Sequence, residues 1–296
     1  MKLLITGASG FVGQNLLNYL SNYEVSILQR EDLHNPQIGD ANAVIHLAGK
    51  AHDLRNTTTA EDYYSINYEL TKKLYDAFLA SNARTFIFMS SVKAAADSVP
   101  EELSEEDVPL PLTHYGKSKL LAEQYICSQS LPKGKFYYIL RPCMIHGPGN
   151  KGNLNLLYKF AKKKMPYPLA AFDNKRSFLS ISNLNMVIER LITNAIPNGI
   201  YNVSDDEPLS TNDVINLIGT ALGFKAVLFK LNPATIRFIA RMGDIVHFPL
   251  NTERLNKLTE SYIVSNKKIK SALNVTRFPI SSKEGLLTTI KSFQKK

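Results

Sequence analysis

The sequence predicts an α/β chain: a doubly wound parallel sheet with a smaller, discontinuous lobe toward the C-terminus. Three observations carry that expectation. Short apolar runs alternate with segments of helical period along the 296 residues, as expected of strands buried on both faces and joined by crossover helices. The first run, Lys2-Leu3-Leu4-Ile5, leads into the glycine-spaced turn Thr6-Gly7-Ala8-Ser9-Gly10-Phe11-Val12-Gly13. Prolines and glycines gather at 142–152 and 166–168, where a second lobe begins.

The elements follow in order. Strands are expected at 2–6, 24–28, 43–47, 85–89, 136–141 and 200–203, each a short run rich in apolar residues. Helices are expected at 11–21, 60–81, 113–129, 153–164, 182–194, 211–222 and 233–242. About a dozen residues, Pro36 and Gly39 among them, separate the second strand from the third. That is too few for a strand and a crossover helix, so one edge of the sheet is expected to be a unit short. Residues 1–145 plus 176–204 are read as the sheet domain and 146–175 plus 205–296 as the lobe, with the active site between them.

Composition narrows the class. A chain 44% hydrophobic and 21% charged fits a soluble globular protein. No apolar run reaches the ~18 residues of a membrane span, so stable membrane insertion is not expected. Cys127 and Cys143 form no metal or redox spacing, and so few thiols suit a reducing, cytoplasmic setting. The net charge of +9 is dispersed, apart from Lys162-Lys163-Lys164 and the Lys267-Lys268 pair with Lys270. No stacking motif accompanies these, and nucleic acid is not expected as a partner. The arginines in the apolar segment Pro233–Met242 would suit a membrane surface, but a lobe helix over the substrate accounts for them as well.

Two constellations carry chemistry. Gly7, Gly10 and Gly13 have the spacing of a phosphate-binding turn: Gly7 for the tight bend, Gly10 for close approach of a pyrophosphate, Gly13 for helix-on-strand packing. The helix N-terminus then favours an anion. The second constellation combines Ser90-Ser91, at the end of strand 85–89, with Tyr115 and Lys119, four apart on one helical face. A lysine ammonium beside a phenol favours the phenolate. Ser91 can hold a carbonyl oxygen while Tyr115 moves its proton.

These landmarks stand in order with His46-Leu47-Ala48-Gly49, Asn67 with Thr71, and Arg141-Pro142 leading to His146-Gly147-Pro148-Gly149. Together they resemble the extended short-chain dehydrogenase/reductases, the NAD-dependent epimerase/dehydratase family with its Rossmann fold. The resemblance implies that Ser91, Tyr115 and Lys119 are catalytic. It implies a cofactor held by Gly7, Ser9, Gly10, Phe11, Val12, Gly13, Arg30, Leu47, Ala48, Gly49, Asn67, Ser90, Tyr115, Lys119 and Pro142. It implies a UDP-sugar met by Ser91, Tyr115, His146, Asn153, Phe172 and Arg176, with Arg176 on the diphosphate and Phe172 on the base. It further allows a homodimer through helices 60–81 and 113–129.

In such folds an acidic residue ends the second strand when NAD is used. Here Gln29 takes that place and Arg30 follows it, and a guanidinium suits a 2′-phosphate. NADP(H) is therefore expected over NAD(H). Val92 and Lys93 follow Ser91 where the family's dehydratases carry an Asp-Glu pair, so dehydration is not expected. Reduction of a UDP-4-keto-6-deoxy-N-acetylhexosamine is the leading expectation. The alternatives are a UDP-hexose or UDP-N-acetylhexosamine 4-epimerase with retained NAD and, more remotely, a non-catalytic NADP-binding protein.

Overall fold

Strand β3 (Ala43–His46) and strand β4 (Thr85–Met89) are buried at every residue, which explains why each reads as an unbroken apolar run. They are the middle of a six-stranded sheet in the computed structural model, which describes residues 1–50, 59–150, 153–246 and 251–295. The other strands are β1 (Lys2–Thr6), β2 (Glu24–Leu28), β6 (Phe136–Pro142) and β9 (Gly199–Val203). The order is β2-β1-β3-β4-β6-β9, and every pairing is parallel. The chain moves outward from β1 to β2, then returns to the other side of β1 as β3. Strand order therefore reverses between β1 and β3, and a crevice opens at their carboxyl ends. A single 3-10 turn, Glu31–His34, joins β2 to β3, so β2 is the edge and the sheet is one unit short, as expected.

Helices cover both faces. Helix α1 (Phe11–Tyr19) and helix α6 (Ile181–Thr193) pack on one side over Leu3, Ile5, Ile87 and Leu140. Helices α2 (Ala60–Tyr64), α3 (Leu70–Ala80) and α4 (His114–Ser128) flank the other, over Val44, Phe86, Phe88 and Ile139. A π-helical turn, Ser65–Glu69, joins α2 to α3. Thr113 caps α4, its hydroxyl accepting from Gly116 N at 3.2 Å.

A short strand, β5 (Glu102–Leu103), precedes α4. Beyond β6 lie β7 (Met144–His146), α5 (Asn153–Lys162) and β8 (Phe178–Ser180), with β7 and β8 paired in parallel. The lobe continues after β9 with α7 (Thr211–Ala221), α8 (Pro233–Val246) and α9 (Thr252–Thr259). It ends with α11 (Ser282–Ser292), after α10 (Lys267–Ala272). Its core gathers Tyr158, Phe178, Ile215, Ile236, Leu255 and Leu286. Between α9 and α10, β10 (Ile263–Val264) pairs with β5. Tyr262, Val264, Ile269, Leu273 and Phe278 join the core of the sheet, so this stretch of the expected lobe packs with the sheet domain.

Candidate active site

The glycine turn is built by close approach of backbone to backbone. Gly7 has φ +72°, and a Cβ there would lie 2.5 Å from Ala48 N. A Cβ on Gly13 would lie 2.4 Å from Gly7 O. Gly10 begins α1 in extended conformation and brings no side chain to cap it, which leaves the first-turn amides open to an anion. Ser9 and Gly10 are exposed at the mouth, whereas Phe11 and Val12 lean on the sheet core.

The turn opens onto a groove of about 510 Å³. Leu28, Gln29, Arg30 and Leu33 line one end, and Leu47, Ala48, Gly49 and Ile66 the other. An apolar slot with amides at its waist and an exposed guanidinium at its tip fits a dinucleotide and its phosphates.

A hydrogen-bonded chain runs beneath that groove. His46 is fully buried, with Nδ1 2.7 Å from Thr6 Oγ1 and Nε2 2.9 Å from Thr71 Oγ1. The Thr71 hydroxyl donates to Asn67 O at 2.8 Å. His46 therefore donates from Nε2 and accepts at Nδ1 from Thr6. Burial, then the charge of Lys119, pulls the His46 pKa down to about 3. The neutral ring thus ties the phosphate turn to the π turn that holds Asn67. Asn67 in turn accepts from Lys50 N at 2.7 Å and donates to Lys50 O and Ser118 Oγ, each at 3.1 Å. It pins the floor at Gly49 to α4. A Cβ on Gly49 would lie 3.0 Å from both Asn67 Oδ1 and Lys119 Nζ.

The expected catalytic residues meet above this floor. Ser91 ends the β4 segment and caps the 3-10 turn Val92–Ala94, its hydroxyl accepting from Lys93 N at 3.2 Å. Ser91 also hydrogen-bonds Tyr115 in the sense that favours the phenolate; burial outweighs it and pushes the Tyr115 pKa up. Lys119 donates to Met89 O at 2.8 Å and lies 4.7 Å from the Phe88 ring centroid. Burial lowers its pKa to about 8, against support from Glu123.

Several side chains lie elsewhere than the sequence placed them. Ser90 is buried and donates to Glu123 Oε1, away from the groove it was expected to line. Glu123 forms a buried pair with Arg141, whose Nε lies 3.0 and 3.1 Å from the two carboxylate oxygens. Pro142 closes β6 in a buried position.

His146 was expected at the sugar, but it is 1% exposed and turned toward α11. Its Nδ1 lies 2.9 Å from Thr289 Oγ1, and Nε2 lies 3.7 Å from Asp205 Oδ2. Docking the lobe onto the sheet, it has no surface for a substrate.

Arg176 is half-buried, its backbone paired with Leu209, and Glu260 and Tyr262 support its charge against burial. Phe172 is half-buried under the Arg237 guanidinium, 5.8 Å from its ring centroid. Asn153 opens α5, and its side chain lies outside the described residues, as do Lys151 and Gly152.

Three supporting residues escaped the sequence reading. Glu123 stands one turn after Lys119, which was a readable signal. Asp205 accepts from Ser180 N and from Asn183 Nδ2. Tyr262 donates to Ala96 O at 2.7 Å beside the Ser91 turn. Neither of these two has a local signature, because their partners are remote in sequence.

The sheet, the glycine turn and the Ser-Tyr-Lys site define an NAD(P)-dependent enzyme of the Rossmann class. The chain belongs to the NAD dependent epimerase/dehydratase family, whose pattern it matches over residues 3–204. It is 30% identical over 248 residues to UDP-glucose 4-epimerase of Vibrio cholerae, covering 75% of this chain and 76% of that one. It is 28% identical over 301 residues to N-acetyl-alpha-D-glucosaminyl-diphospho-ditrans,octacis-undecaprenol 4-epimerase of Escherichia coli O157:H7, covering 94% and 87%. Among solved structures, UDP-N-acetylglucosamine 4-epimerase from Bacillus cereus superposes with a TM-score of 0.78 at 23% identity over the whole of both chains. Among the described residues no helix is long and apolar enough to cross a membrane, and no cluster of side chains could hold a metal ion.

Proposed function

We propose that the enzyme reduces the C4 carbonyl of a UDP-4-keto-6-deoxy-N-acetylhexosamine. The observation that carries this is the hydrogen-bonded Ser91–Tyr115 pair one helical turn before the buried Lys119, whose ammonium packs against Gly49 of the dinucleotide groove. A nicotinamide dinucleotide supplies the hydride when bound. Ser91 holds the carbonyl oxygen. Tyr115 delivers a proton to that oxygen, and the Lys119 charge steadies the phenolate left behind. Arg176 and Phe172 are the side chains for the diphosphate and the base. Arg30, exposed at the adenosine end of the groove, supports NADPH through bidentate contact with a 2′-phosphate.

A second reading, 4-epimerisation with retained NAD, is supported by the relatives, two of which are named as 4-epimerases of UDP-linked and polyprenol-linked sugars. Both readings use the same three residues. The test is NADPH absorbance with purified protein and the 4-keto sugar. Stoichiometric NADPH loss, abolished by Tyr115→Phe, supports reduction. No loss with NADPH or NADH, together with C4 interconversion of UDP-N-acetylhexosamines by protein carrying NAD, supports epimerisation instead.

A further inference from the structure

We infer that the lobe carries a docking surface for an anionic lipid bilayer, built on α8. The outer stripe of this helix plays no part in the reaction, although Arg237 on its flank lies 5.8 Å from the Phe172 ring centroid. α8 buries Ile236, Ala240 and Gly243 against the lobe. On its opposite face Phe238, Met242 and Ile245, at i, i+4 and i+7, are 64%, 45% and 72% exposed. A surface helix ordinarily has one apolar stripe; this one has two. Arg237 and Arg241 are exposed one turn apart on the flank of the outer stripe. Asp244, the sole acid of α8, is turned back to α9, accepting from Thr252 N at 3.0 Å and from its hydroxyl at 2.5 Å. The outer face is thus apolar and cationic.

Charge over the lobe points the same way. Segments 146–175, 205–261 and 279–296 hold sixteen of the 35 lysines and arginines and nine of the 26 acidic residues. That places +7 of the net +9 in about a third of the chain. A second copy packed face to face across a twofold axis would oppose arginine to arginine. A nucleic acid would leave Phe238 and Ile245 without apolar partners. An anionic bilayer offers hydrocarbon to the stripe and phosphate to the arginines, with the helix lying in the interface plane.

The experiment is flotation of the purified full chain with vesicles of phosphatidylcholine alone and with about 30% phosphatidylglycerol. We expect at least about fivefold more protein on the anionic vesicles, falling as salt is raised to ~0.5 M. Phe238→Ser/Met242→Ser/Ile245→Ser should fall to the phosphatidylcholine level, and Arg241→Gln should lie between. Val108→Ser, at an 88%-exposed apolar site outside the lobe, should float like the parent, with thermal melts showing every variant folded. No binding to anionic vesicles, or equal flotation of parent and triple variant, overturns the proposal. So does a parent dimer that the triple variant dissociates without any vesicle binding, since that outcome assigns the face to a second copy.

Discussion

Lys119, to which the proposed reaction assigns the charge that steadies the phenolate, is held at the expense of the fold. The residue is 4% exposed, and its ammonium donates to Met89 O at 2.8 Å. Burial takes its pKa from 10.5 in the unfolded chain to about 8. Between those values the unfolded chain binds more protons, so this residue makes stability rise with pH, and the full penalty applies below about pH 8. Lys119→Met should therefore stabilise the protein at pH 7, by at most on the order of 3 kcal/mol. The difference should vanish as pH rises toward 10, while activity is lost; urea unfolding of both proteins at pH 7 and 9.5 measures it. Glu123 gives the opposite case. Glu123→Gln leaves the Arg141 guanidinium, 1% exposed, without its counter-charge, and a cost of about 3–5 kcal/mol is expected. Glu123→Gln combined with Arg141→Met should cost less than the sum of the two, since the stranded charge is then gone.

At the scale of elements, α4 must sit at a set height above the Ser91 turn. Gly116 makes that possible: a Cβ there would lie 2.3 Å from Lys93 O and 2.8 Å from Pro111 Cβ. Gly116→Ala must lift the helix start, and with it Tyr115, away from Ser91. We expect kcat to fall by about tenfold or more with dinucleotide affinity within about threefold, because the glycine turn is untouched. Steady-state kinetics beside cofactor titration checks this.

The same contrast explains what was legible. Five sheet strands could be read because burial writes an apolar run into each, whereas the edge strand β2, exposed along most of its length, was legible only from Val25, Ile27 and Leu28. The shortened sheet edge between β2 and β3 was inferred from length alone. The π turn at Ser65–Glu69 could not be seen, since one extra residue in a helical turn leaves the surrounding period nearly intact. β5, β7, β8 and β10 have three residues or fewer, too short for any periodicity. The meeting of Ser91 with Tyr115 was legible because a strand end and a helix start at fixed spacing carry them, with Lys119 one turn on. His146 misled because its partner, Thr289, is 143 residues away.

For the molecule as a whole, the proposed reaction draws its reacting groups from the sheet and Arg176 and Phe172 from the lobe, so the two must be held in register. Tyr262 is the link. Its backbone accepts from Ser177 N at 2.9 Å and donates to Lys175 O at 2.8 Å, either side of Arg176. Its hydroxyl donates to Ala96 O at 2.7 Å with Val92 O at 3.3 Å, and the Lys93 ammonium lies 4.6 Å from its ring centroid. One residue thus spans the segment around Arg176, expected to hold the substrate's diphosphate, and the turn that presents Ser91. Burial raises its pKa, so the donor persists through neutral pH. Tyr262→Phe keeps the ring and removes the hydroxyl, at a cost of about 1–2 kcal/mol for the Ala96 carbonyl that loses its donor. If the hydroxyl sets the register of lobe on sheet, KM for the sugar nucleotide should rise severalfold more than KM for the dinucleotide, and kcat should fall with it. A loss of stability with both KM values unchanged would mean that Tyr262 only fills space and that α10 and α11 hold the lobe in place.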